Sequence, residues 1–285
     1  MPVSAVRAES YDQKVVAEAF QQAFALLGLP PDNPFRNLAN PGDQVFIKPN
    51  WVAHSYRASC SKQFDVFTTI THPAVIREVA RWVDRALQGK GKILIGDNPS
   101  IDADFSKLME VQALQDLENE FQTPVEFLDL RPLVCTDLRH YGQRDKMTHQ
   151  KGDPAGETII NLGRKSQLYG LNPRLFRGVF NEREETINAH TGTRHLYGFS
   201  NSIYRSDLFI SIPKLKTHHK VGVTLNLKGL VGAIGTKNYL VHWQEGFPAV
   251  AGDAYPNFRL WLKDRFKKVK KRGAWSGNDT IWHMV

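Results

Sequence analysis

Cysteine is nearly absent from this chain. The two that occur, Cys60 and Cys135, lie far apart and outside any Cys-x-x-Cys pattern. Neither a thiolate zinc site nor a cysteine-ligated iron–sulfur cluster is therefore expected from this chain alone. Both read as reduced structural thiols, and no low-pKa surrounding marks Cys60 as a nucleophile. Long apolar runs are missing too: nothing approaches the ~18 residues of a membrane span, and "MPVSAVRAESYDQK" lacks the apolar core of a signal peptide, so a cytoplasmic protein is expected. No internal repeat, low-complexity linker or GxxxxGK[ST] phosphate loop appears.

What is present is an ordinary globular composition, 285 residues with 41% hydrophobic and 23% charged, enough for one large domain or two small ones. The net charge of +8 is concentrated rather than spread. Residues 259–272, "RLWLKDRFKKVKKR", hold eight Lys/Arg against one Asp, and the rest of the chain is nearly neutral. A basic amphipathic helix is expected over 256–272, with Phe258, Leu262, Phe266 and Val269 on one face and a solvated charged face opposite. Contact with a membrane surface is the less favoured use of that helix, and nucleic acid is disfavoured because basic and aromatic residues do not interleave over a whole domain.

Apolar segments alternate in strand and helix style. "QVFIKPN" (44–50) reads as a buried strand, "THPAVIREVARWVDRAL" as a helix with Thr71 as N-cap candidate and Pro73 in its first turn, and "KILIGD" (92–97) as a second strand. That is a βαβ unit. A further helix is expected over 103–121, then strands at "PVEFLDL" and "DLFISIPK" (207–214). Between about 131 and 200, Gly, Asn, Arg and His with short β-like pieces suggest an irregular, hairpin-rich insertion. "VGVTLNLKGLVGAIGTKN" has no clear period. The expected fold is α/β: a mostly parallel sheet with flanking helices and a loop-rich insertion, built as a single domain over 1–285.

Ligands of open parallel sheets collect beyond the carboxyl ends of the strands. Each strong strand here ends in polar residues: Lys48 and Asn50, Asp97 and Asn98, Lys214 and Lys216. "PKLKTHHK" then gathers Lys214, Lys216, Thr217, His218, His219 and Lys220. Repulsion among so many cations is relieved by an anion, and phosphate, sulfate and carboxylate all qualify. Lysine supplies a point charge without arginine's fork, so charge is selected over oxyanion geometry. His218 suits general acid–base work, with Asp97 as the other candidate. Metal ligation by His218 with Asp97 or His72 is the minor alternative, and no metal site is expected. Downstream, Gly229, Gly232 and Gly235 precede Thr236, and Lys228, Lys237 and Asn238 extend the candidate substrate-binding set.

The segments "VFIKPNWV", "THPAVIREVARWV", "GKILIGDNPS", "SDLFISIPKLKTHHKVGVTLNLKGLVG", "GTKNYLVHW" and "GNDTIWHMV" together resemble the domain-of-unknown-function family 362, over roughly residues 10–285. By that resemblance Lys214, Lys216, Thr217, His218, Asn226, Lys228 and Gly229 form the family motif, with Lys48, Pro49, Asn50 and Asp97 in its N-terminal signatures. The family implies a largely uncharacterised activity. Some members carry ferredoxin-like iron–sulfur modules and others are encoded among biosynthesis genes, and this chain has no such cysteine module. Relatives continue past "GNDTIW", so the resemblance implies a fragment, or a fold completed by a second polypeptide.

Two functions follow as expectations. One is a small-molecule biosynthetic enzyme, a transferase or lyase, that holds an anionic substrate with Lys214 and Lys216, assisted by Lys48 and Lys228. His218 or Asp97 would move a proton, for transfer, elimination or intramolecular displacement. The other is a non-catalytic binding or scaffold subunit that recognises an acidic ligand or partner protein. No cofactor is identified by either.

Overall fold

The structure, a computed structural model, describes residues 2–55, 65–140, 143–180, 183–218 and 221–270. Along the chain run α1 (Gln13–Leu26), β1 (Gln44–Pro49), α2 (Pro73–Leu87), β2 (Lys92–Asp97), α3 (Phe105–Gln112), β3 (Val125–Asp129), β4 (Glu157–Asn161), α4 (Arg183–Ala189), β5 (Leu196–Ser200), β6 (Leu208–Ile212), β7 (Lys216–His218), β8 (Gly222–Thr224), α5 (Asn226–Gly229) and α6 (Phe258–Lys270), with shorter turns between them. The chain divides into two compact units. The first comprises Met1–Arg131, Gly152–Gly156 and Asn201–Ala233, and the second Pro132–Lys151, Glu157–Ser200 and Ile234–Val285.

The first unit is built on an all-parallel sheet in the order β3-β2-β1-β6. After its first residue, each of β1 and β2 is buried without interruption, as strands covered on both faces are. Val45, Ile47, Ile93 and Ile95 pack with Ile76, Val79, Ala80, Val83 and Leu87 of α2 in the main core. Each such side chain contributes about 1.5–3 kcal/mol by leaving water. The N-cap of α2 is His72, not Thr71: its Nδ1 accepts the Ala74 N–H, and Pro73 opens the helix. Thr71 has a different task, described below.

The helix expected over 103–121 is broken. It stops at Gln112, Ala113 takes a left-handed conformation (φ 47°), and a separate short turn covers Leu117–Glu120. At 3.6 residues per turn a straight helix would set Leu117 opposite Leu108. Both are fully buried, so the break is what lets each reach the core.

Order in the sheet matters for function. The chain runs outward from β1 to β2 and β3, then returns to place β6 on the other side of β1. The strand order reverses at β1/β6, the position where loops diverge and leave a crevice at the carboxyl ends.

The second unit holds most of the loop-rich segment expected between 131 and 200, including the antiparallel pair β4–β5. Its core contains the histidines His190 and His195, each 1% exposed. Of the apolar face expected of helix α6, Phe258 and Phe266 are exposed and Leu262 is half-buried, whereas Asp264 is buried and accepts the Tyr255 hydroxyl at 2.6 Å. Burial, helped by that hydrogen bond, raises the Tyr255 phenol above its ordinary range. Among the described residues no helix is long and apolar enough to cross a membrane.

Candidate functional site

The carboxyl ends of β1, β2 and β6 lie side by side in the first unit, and the polar residues that follow them form two layers. The lower layer is an ion pair. Lys48 Nζ lies 2.6 Å from Asp97 Oδ1, with the two side chains 2% and 6% exposed. The pair is closed on all sides. Asp97 also accepts the backbone N–H of Trp51 at 2.7 Å and of Asn98 at 2.7 Å, while Lys48 donates a longer bond of 3.3 Å to the Pro49 carbonyl. Gly232 presses on it from the far side: a Cβ there would stand 2.1 Å from Asp97 Oδ1 and 2.7 Å from Lys48 Nζ.

A brace of hydrogen bonds holds the strand ends in register beside this pair. The Thr71 hydroxyl accepts the Asn50 N–H and donates to the Ile212 carbonyl, both at 2.8 Å, tying the ends of β1 and β6. Asn50 Nδ2 donates to the Thr69 carbonyl at 3.0 Å, and Gln112 Nε2 to the Thr71 carbonyl. The hydroxyl of Thr71 is therefore structural here, where its sequence position suggested a helix cap.

The upper layer consists of amines that form no ion pair with a carboxylate of the described residues. Lys216, half-buried at the start of β7, donates to the Thr69 carbonyl at 2.6 Å, so one neutral oxygen serves both Asn50 and Lys216. Burial, with help from the Lys228 and Lys214 charges and against the opposing pull of Asp97, brings the Lys216 amine down to about 8 from its ordinary 10.5. Lys228, half-buried in α5, has no side-chain hydrogen bond or ion pair with the described residues. Burial lowers its pKa as well, with Asp97 acting against and Lys48 adding to the effect. Asp97, the one carboxylate that acts on both amines, is already occupied by Lys48 and two backbone N–H groups.

Lys214 sits at the edge of this layer. Its Nζ donates to the Tyr11 hydroxyl at 3.1 Å and lies 5.4 Å from the centre of that ring. Tyr11 in turn stacks on His72, with ring centroids 4.0 Å apart. Burial lowers the His72 pKa, Asp65 opposes, and Lys214 adds to the lowering.

The structure thus brings together Lys48, Asn50, Asp97, Lys214, Lys216 and Lys228. The other candidates have different surroundings. His218 lies in the β7–β8 hairpin, where its Nδ1 accepts the Val221 N–H at 3.3 Å. Thr217 in β7 and Asn226 at the start of α5 are exposed. Lys237 and Asn238 belong to the second unit, where Asn238 is buried and donates to Glu185 at 2.7 Å. Cys60, His219, Lys220 and the segment 277–285 lie outside the described residues. Among the described residues no group of three or more His, Cys, Asp or Glu stands close enough to hold a metal ion.

Sequence reasoning missed Tyr11, Thr69, the bracing role of Thr71, and Gly232 as the lid of the ion pair. Only the last left a readable trace, in the spacing of Gly229, Gly232 and Gly235. Thr69 acts through its carbonyl, which carries no side-chain signature. The family model of the domain of unknown function DUF362 matches residues 45–151 and 143–278. No curated protein and no solved structure matches the chain.

Proposed function

The chain belongs to the DUF362 family, and from that premise we propose that it is a small-molecule biosynthetic enzyme whose anionic substrate binds against Lys216 and Lys228, with Lys214 at the edge. The observation that carries this reading is the pair of half-buried amines that have no carboxylate partner among the described residues, set beyond the carboxyl ends of strands beside the switch point. Removing such amines from water is costly, and an anion repays the cost. Sulfate, phosphate and carboxylate groups all suit a cluster of lysines, which offers charge without a fixed fork. If the held group is a sulfate or phosphate ester, the same lysines stabilise charge on the departing oxyanion, which supports transfer, elimination or intramolecular displacement. Of the two proton-transfer candidates, Asp97 is taken up by Lys48 and two backbone N–H groups, so His218 would move the proton in that scheme. Lys48 contributes through Asp97, since its amine is buried against that carboxylate.

Ligands that bind only the folded state raise its melting temperature. At low ionic strength, added sulfate, phosphate or a carboxylate should raise the melting temperature of the wild type and leave Lys216→Met/Lys228→Met unmoved. A response of equal size in both proteins would remove the anion from these lysines.

A second reading, a binding or scaffold subunit, draws on one observation. Leu215, Val221, Val223 and Leu227, on or beside the β7–β8 hairpin, are exposed, Leu227 at 87%. Binding to an acidic partner through total charge would weaken steadily with salt, whereas turnover would follow a pH profile.

A further inference from the structure

Lys216 differs from the other amines of the site in one respect. It is anchored, yet not by an anion. Its Nζ is held at 2.6 Å by the Thr69 carbonyl, an oxygen that also receives Asn50 Nδ2 at 3.0 Å. A carbonyl accepts more strongly from an ammonium than from a neutral amine but accepts from both, so this contact holds the nitrogen in place and persists when the proton is lost, while burial and the neighbouring cations favour that loss. Around it stand the cations Lys214 and Lys228, and Asp97, the carboxylate that acts on it among the described residues, is tied to Lys48. An amine so placed gains by releasing its proton, which exposes the nitrogen lone pair. The lowered pKa of Lys216, about 8, agrees with that geometry. Lys228 lacks a comparable anchor, which suits it to hold a ligand's charge rather than to react.

We propose that Lys216 is a nucleophile that forms a Schiff base with an aldehyde or ketone carbon of the substrate, whose anionic group is held by Lys228. The inference rests on the anion-site reading above and adds to it a substrate class: a carbonyl compound bearing a carboxylate, sulfate or phosphate. The neutral amine attacks the carbonyl carbon and a C–N bond forms. The proton leaving nitrogen passes to the carbonyl oxygen and gives a carbinolamine. The C–O bond then breaks as that oxygen departs as water, leaving the imine. No oxidant or reductant takes part. An imine at Lys216 withdraws electrons from the neighbouring carbon, which makes the elimination chemistry proposed for the site accessible.

The test uses the full chain at pH 8, incubated with glyoxylate and sodium cyanoborohydride and mapped by peptide mass spectrometry, with acetaldehyde as an uncharged carbonyl. The reductant converts any imine into a stable secondary amine. The expected result is a carboxymethyl group on Lys216 well before any other lysine. Lys228→Met should slow labelling by glyoxylate several-fold more than labelling by acetaldehyde, since both lose the charge that helps lower the Lys216 pKa and only glyoxylate also loses the partner of its carboxylate. Labelling spread over exposed lysines, or first on Lys228, would overturn the proposal. Wild-type mapping needs no variant, so a poorly folding Lys216→Met does not blunt it. The thermal response to sulfate and phosphate separates the two claims: anion binding without a Lys216 adduct defeats the nucleophile and keeps the site, and loss of both defeats the site as well.

Discussion

Two sets of lysines gather on the carboxyl side of one sheet, and their surroundings differ. At the floor, Lys48 is closed in by Asp97, backbone and Gly232, with each charge matched. At the rim, Lys216 and Lys228 are half-buried and have no carboxylate of their own among the described residues. A buried charge that keeps its partner is part of the scaffold, and a half-buried one without a partner is available to a ligand. The contrast teaches that positive charge alone did not mark the site. The proposed site is picked out instead by which amines the fold leaves unmatched among the described residues.

That contrast can be broken most forcefully at the floor. Asp97→Ala leaves Lys48 buried without a counter-ion and strips the Trp51 and Asn98 N–H groups of their acceptor, so it should destabilise the first unit by about 3–5 kcal/mol in urea unfolding. A loss below about 1 kcal/mol would mean the pair is not closed as described. Gly232→Ala comes next. The added methyl has no room against Asp97 Oδ1 and Lys48 Nζ, and the forced shift should cost about 1–3 kcal/mol.

The rim should respond in the opposite sense. Lys216→Met removes an amine that is costly to bury charged, so at pH 7 the melting temperature should hold steady or rise. The pH dependence follows from linkage. The folded-state pKa of Lys216, about 8, lies below the ordinary 10.5, so between those values the unfolded chain binds more protons at this position. The contribution of Lys216 to stability is therefore present above the unfolded value and lost as pH falls through about 8. Parallel unfolding curves of wild type and Lys216→Met should show the wild type gaining relative to the variant from pH 8 to 10. A constant difference across that interval would place Lys216 in ordinary solvent.

The sheet was readable because burial on both faces writes continuous apolar runs into the chain, as in "VFI" and "ILIG", and because "THP" announces a helix start. The polar residues at the strand ends were readable for the same reason, since the chain must leave the core there. What could not be read was partnership. Lys48 and Lys216 look alike as letters, and only the fold gives Asp97 to the first and a bare carbonyl to the second. Thr71 was assigned to a helix cap on local grounds, yet a carbonyl 141 residues away claimed its hydroxyl. The break at Ala113 escaped notice because helical periodicity over 103–121 does not reveal that Leu108 and Leu117 must face the same core. In each case a long-range contact prevailed over a local preference.

The most direct test of the account is the titration of the Lys216 amine by NMR on the lysine-labelled chain, with Lys216→Met to assign its signal, in the absence and presence of sulfate. The account predicts a midpoint near 8 in the free protein that climbs toward the ordinary lysine value when the anion binds. A midpoint already at 10.5 and indifferent to sulfate would contradict it, and would make the rim lysines as ordinary as those on any surface.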